Sequence, residues 1–114
     1  MDLQISIREC GEVSIVDLDG KSTIGGGSEQ LSKRLRDLAV HGKRKLLLIL
    51  ANLTHMDSSG IGIILETFVS LKHRNGELKL LNPRGRVLQV LTVFRVLEVV
   101  PRFEDETLAL SSFS

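Results

Sequence analysis

The chain has 114 residues, 42% of them hydrophobic and 25% charged, which suits one domain with a single core and excludes a disordered chain. Fifteen Lys and Arg against 14 Asp and Glu leave a formal net charge of +1, so there is no chain-wide basic footprint for direct nucleic-acid binding. Cys10 is the only cysteine, which excludes an intrachain disulfide and makes a reducing cytoplasm the simpler expectation.

Met1-Asp2-Leu3 opens without a basic segment or an apolar h-region, so no signal peptide is expected. No apolar run reaches the roughly 18 residues of a membrane span. Leu3, Ile5 and Ile7 alternate with Gln4, Ser6 and Arg8, the pattern of a half-buried strand. Glu9-Cys10-Gly11-Glu12 reads as a turn into a second strand carrying Val13, Ile15 and Leu18, which Asp19-Gly20 is expected to end. Gly20-Lys21-Ser22-Thr23 resembles the end of a phosphate-binding loop. That loop needs a glycine where Ile15 stands, so nucleotide binding here fails on spacing. Gly25-Gly26-Gly27 leads to Ser28, an expected N-cap, and to a helix whose apolar stripe is Leu31, Leu35, Leu38 and Ala39, closing near Gly42. Lys33, Arg34, Arg36 and Asp37 form its wet face.

Lys45 to Leu50 is an unbroken apolar run, the mark of a strand covered on both faces. Asn52 to Gly62 then reads as a loop delivering the chain to a helix with Ile61, Ile64, Leu65, Phe68 and Leu71 on one side, running to about His73. A helix start carries unpaired N–H groups and partial positive charge, which suits an anion, and Ser58 and Ser59 stand at it. Gly60 and Gly62 each lower helix stability by about 1 kcal/mol relative to alanine, so something is expected to approach the backbone there. Ile63 falls opposite the apolar stripe, on what reads as a wet face beside the serines. Asp57 or Ser58 as a plain helix cap is the simpler alternative.

Asn75-Gly76 ends this helix, and Glu77 to Leu81 is a short strand that a right-handed crossover places parallel to the one before. After Asn82-Pro83 a third helix begins near Arg84. One of its faces hides Val87, Leu88, Leu91 and Phe94, leaving Val90 and Val93 for a terminal segment or an interface. Pro101 breaks the chain before a short final helix from Glu104 to Leu110. The order predicts an α/β domain over 1–114: a mixed, mostly parallel sheet of four to five strands with helices mainly on one face.

Catalytic constellations are scarce. His41, His55 and His73 show no metal-type pairing, Cys10 has no activating neighbour, and a Ser58–His55 pair lacks a third member. No enzyme, cofactor or metal site is expected.

Leu50 to Leu65, above all Met56-Asp57-Ser58-Ser59-Gly60-Ile61-Gly62, resembles the signature of the STAS domain found in bacterial anti-sigma factor antagonists. The likeness extends to the Gly20 turn and the Asn82-Pro83 step into an apolar helix. It implies phosphorylation at Ser58, with Ser59 the second choice, by an anti-sigma factor that is also a serine kinase, and removal of the phosphate by a PP2C-type phosphatase. It also implies docking through Asp57, Ser58, Ser59, Gly60 and Ile63, with Thr23 and Gly25 in the adjacent loop. The unmodified form would bind the anti-sigma factor and free the sigma factor; a weak homodimer is compatible with this. Many antagonists carry an acidic residue where this chain has Thr23. The alternative role is a non-phosphorylated STAS adaptor in a larger signalling or transport complex.

Overall fold

The computed structural model describes residues 3–113. Strands β1 (Leu3–Cys10) and β2 (Val13–Ser22) form an antiparallel hairpin, followed by α1 (Ser28–Val40), β3 (Lys45–Met56), α2 (Ser58–Lys72), β4 (Glu77–Leu81) and α3 (Gly85–Val93). A 3-10 turn (Val96–Glu98), β5 (Arg102–Phe103) and α4 (Glu106–Ser111) complete the chain. The sheet order is β1-β2-β3-β4-β5, with every pair after the hairpin parallel, so each strand lies beside its predecessor in sequence.

Two apolar layers hold the sheet. On one face Leu31 and Leu35 of α1, Ile61 and Ile64 of α2, and Val87 and Leu91 of α3 pack against Leu46, Leu48, Leu50 and Leu80. On the other, Ile15, Leu47, Ile49 and Leu81 are covered by Ala109 of α4, with Phe103 and Phe113 at the margin. The run 46–50 is buried throughout because β3 has neighbours on both sides and layers on both faces. The expectation of helices mainly on one face holds, α4 being the exception that closes the second.

Four boundaries differ from the sequence expectations. Asp19-Gly20 does not end β2. Register shifts at Asp17/Asp19 and Gly20/Lys21 carry the strand on to Ser22 alongside β3. The stretch 52–56 is correspondingly strand and not loop: the extended β2 pairs with it, and Leu53 and Met56 are buried. Ser28 is not the cap of α1. Gly27 takes that place at φ 96°, where a Cβ would lie 2.2 Å from the Lys21 carbonyl oxygen and 2.7 Å from Leu3 Cβ, so only glycine fits. Phe94 falls just past α3 and is 53% exposed instead of hidden, while Val90 packs against the core. Val93 stays exposed, at 76%. The terminal segment covers the opposite face of the sheet and leaves Val93 open.

Candidate functional site

The extension of β2 and β3 past the body of the sheet brings Ser22, the Thr23–Gly27 loop and the start of α2 together. Thr23 and Gly26 close the loop by exchanging backbone hydrogen bonds of 2.9 Å, and the Thr23 hydroxyl also donates to the Gly26 carbonyl at 3.2 Å. This turns Gly25 and Ile24 outward, Ile24 at 77% exposure.

Asp57 is the N-cap of α2, and every part of it is used. One carboxylate oxygen accepts from the N–H and hydroxyl of Ser59, and the other accepts from the Ile24 N–H at 2.8 Å. Its carbonyl accepts from the N–H groups of Gly60 and Ile61, and its N–H donates to the Ser22 carbonyl at 3.2 Å. The anion at this helix start is therefore Asp57 itself, and this residue takes up the N–H groups of Ser59, Gly60 and Ile61. The Ser59 hydroxyl foremost, then the Ile24 N–H, hold the Asp57 carboxyl below its ordinary pKa, so it is ionised at neutral pH.

Ser59 lies in a chain of hydroxyls: its Oγ is 2.6 Å from Ser28 Oγ, which is 2.9 Å from Ser22 Oγ. A hydroxyl has one proton to give. Ser59 is placed to give it to the ionised Asp57 or to Ser28, and the Ser22–Ser28 bond can run in either direction. Ser22 and Ser28 are buried, and this relay satisfies them; no described buried side-chain polar atom lacks a partner. Buried Ser28 is thus a structural hydroxyl that its reading as a cap did not anticipate.

Ser58, by contrast, is exposed at the first position of α2, and among the described residues no hydrogen bond engages its hydroxyl. Ser59 is half-buried and committed on both sides. The two neighbours are chemically unequal: one hydroxyl is presented and the other is built in.

The remaining expected site residues separate. Gly60 is buried, and a Cβ there would lie 2.7 Å from Met56 Cγ and 2.8 Å from Ser22 Oγ, so the close approach comes from inside the molecule. Gly62 is exposed with open space around it. Ile63 is not on a wet face. It is half-buried and packs against the core on the side facing α1, because α2 sits against both the sheet and its helical neighbour. Beyond Asp57 the strand end carries His55, whose Nε2 accepts from Arg86 Nη1 at 3.1 Å and whose Nδ1 is 2.9 Å from Thr54 Oγ1. Thr54 Oγ1 donates to the Gly20 carbonyl at 3.0 Å, which ties this strand end to β2. No group of His, Cys, Asp and Glu suited to a metal occurs among the described residues, and none of their helices is long and apolar enough to cross a membrane.

Similarity to known proteins follows the same lines. The curated anti-sigma F factor antagonist of Paenibacillus polymyxa is 27% identical over 113 residues, covering 97% of this chain and 95% of that protein. A crystal structure of an anti-sigma factor antagonist from Mycobacterium paratuberculosis superimposes with a TM-score of 0.87 at 14% identity, covering 97% of this chain and 93% of that one. The Bacillus cell fate determinant SpoIIAA in its phosphorylated form gives a TM-score of 0.72 at 21% identity, with 96% and 98% covered. The family model of the STAS domain matches residues 4–109. Resting on nearly the whole chain and on the sheet order just described, the assignment is that this protein belongs to the STAS domain family.

Proposed function

We propose that this chain is a cytoplasmic anti-sigma factor antagonist whose docking surface is switched at Ser58. Unmodified, it binds an anti-sigma factor that is also a serine kinase, and so releases the sigma factor; a PP2C-type phosphatase restores the unmodified form. The observation that carries the reading is the contrast between the presented Ser58 hydroxyl and the committed Ser59 hydroxyl one residue on. The antagonist of Paenibacillus polymyxa supports the choice of partner class.

The physics suits a switch. A phosphate adds about −1.5 to −2 charges at neutral pH. At Ser58 it would stand outside the hydroxyl relay, so the scaffold keeps its contacts. It would also stand next to ionised Asp57, so a combined charge of about −2.5 to −3 falls on the docking surface. A coupling of ~3 kcal/mol between phosphate and partner changes affinity more than a hundredfold. Docking would use Ser58, Asp57 and the outward Thr23–Gly25 turn. Gly60 shapes that surface from beneath.

The test is to incubate the chain with ATP and the serine-kinase anti-sigma factor of the same genome, then locate the phosphate by mass spectrometry. Incorporation at Ser58, its loss in Ser58→Ala and its retention in Ser59→Ala are expected. Modification at Ser59 would overturn the choice of residue. Absence of any phosphate would favour an adaptor role, which the apolar, acid-free Thr23-Ile24 turn would also suit.

A further inference from the structure

The face carrying α1 and α2 contains a cleft that the docking surface does not use. The two helices are successive crossovers on one side of a parallel sheet and run side by side. Where neighbouring helices ordinarily meet through large side chains, this pair presents Ser32 and Ala39 from α1 and Thr67 and Ser70 from α2. A space of about 660 Å³ is left between them, within the roughly 300–1,000 Å³ of ligand pockets. Its floor is apolar: Leu35, Leu46 and Leu71 are buried and Ile63 is half-buried.

The charge around this cleft is one-sided. Arg36, Lys43, Arg44 and Arg74 line it against one acid, Glu66, in a chain whose net charge is +1. Lys43, Arg44 and Arg74 follow the C-terminal ends of α1 and α2 and so gather at one end of the cleft. Those helix ends contribute about half a negative charge each, which three cations outweigh. Lys43 is shared with Glu9 at 3.4 Å, and Arg44 spends one nitrogen on the Ala39 and Lys43 carbonyls. Neither Arg44 nor Arg74 forms an ion pair among the described residues. Midway along, Arg36 and Glu66 approach to 3.8 Å from opposite helices, a strap between exposed side chains. A polypeptide helix, about 10–12 Å across with its side chains, would have to break that strap, which a slimmer extended hydrocarbon chain would not need to do.

We propose that the α1–α2 cleft binds a free single-chain fatty acid, with its carboxylate at Arg44 and Arg74 and its tail along Leu35, Leu46 and Ile63. This stands independently of the Ser58 reading, since it uses another face and other side chains. The chain has no Trp or Tyr, so displacement of a fluorescent fatty-acid analogue by dodecanoate can be followed with little background from the protein. With the full chain, saturable one-to-one displacement below the micellar range is expected. The exposed-site variant Arg74→Gln should weaken it several-fold, and the Arg44→Gln, Arg74→Gln pair at least tenfold. Dodecanol should compete at least tenfold less well than dodecanoate. Thr67→Phe, which plugs the cleft, should abolish displacement with the far-UV circular dichroism of the native chain retained. Failure of dodecanoate to displace the probe, equal competition by dodecanol, undiminished binding by folded Arg74→Gln, or binding to anionic vesicles but not to monomeric dodecanoate would each overturn the proposal.

Discussion

Single atoms decide the roles of Asp57, Gly60 and Gly62. Asp57 joins the Ile24 turn to α2 because its two oxygens face different elements, and its pKa is lowered by the hydrogen bonds it accepts. A carboxylate whose pKa is lower folded than unfolded binds fewer protons in the native state. Its contribution is therefore complete above the unfolded value, near 3.9, and is lost as pH falls through the lower folded value. Asp57→Ala should cost about 1 kcal/mol in urea unfolding at neutral pH, the ordinary worth of a cap. It should also flatten the fall in stability below about pH 4, measured by the same unfolding at stepped pH. Gly60 and Gly62 separate on the same scale. Gly60→Ala forces a methyl against Met56 and Ser22 and should destabilise by about 1–3 kcal/mol. Gly62→Ala meets open space and should stabilise by up to about 1 kcal/mol. Equal effects in the two variants would contradict the packing described here.

At the scale of elements, the long β2–β3 pair is what turns a sequence motif into a surface. Bulges keep β2 in step with β3 as far as Ser22 and Met56, and that extension sets Ser22 under Gly60. The final helix is held differently. Lys79, 8% exposed in β4, donates to the carbonyl and hydroxyl of Ser112 at 2.8 Å each, pairs with Glu77 at 3.3 Å and lies 4.6 Å from the Phe113 ring centroid. It is a lysine in a buried strand position because the end of α4 supplies its acceptors. Lys79→Ala should cost about 1–3 kcal/mol and speed amide exchange over Glu106–Ser112, with protection in β3 and α2 retained. Hydrogen exchange read by mass spectrometry would show whether the loosening is confined to that helix.

For the molecule as a whole, a rigid sheet with unequal faces lets modification act without refolding. Ser58→Asp adds charge at an exposed helix start, where the macrodipole is worth about 0.3–1 kcal/mol, so thermal unfolding should be unchanged or slightly raised. Its affinity for the anti-sigma factor should fall at least tenfold by calorimetry. A Ser58→Asp chain that binds as tightly as the unmodified one would remove the switch. Val93 and Phe94 stand at the exposed end of α3, so Val93→Ser should shift stability by no more than about 0.5 kcal/mol, against about 2–5 kcal/mol for Leu91→Ala in the core.

Much of this was legible in the residues taken in order. Alternation in Leu3–Ile7, the apolar run at 46–50 and the helical spacing of Leu31 and Leu35 each report local burial, and burial in a layered fold follows local periodicity. The Met56–Gly62 motif likewise marked the start of α2, with both serines placed at it alike. Other features depend on residues far apart in the chain, and no window of sequence contains them. The continuation of β3 through His55 needed β2 beside it. Ile63 turned inward because α1 lies next to α2, and the unequal fates of Ser58 and Ser59 were decided by Ser28, 31 positions before Ser59. Periodicity on its own determined which segments form elements and which of their sides is apolar. Packing between elements decided which polar atoms are consumed within the fold and which face outward, since a hydrogen bond is satisfied by whatever group tertiary structure brings within about 3 Å.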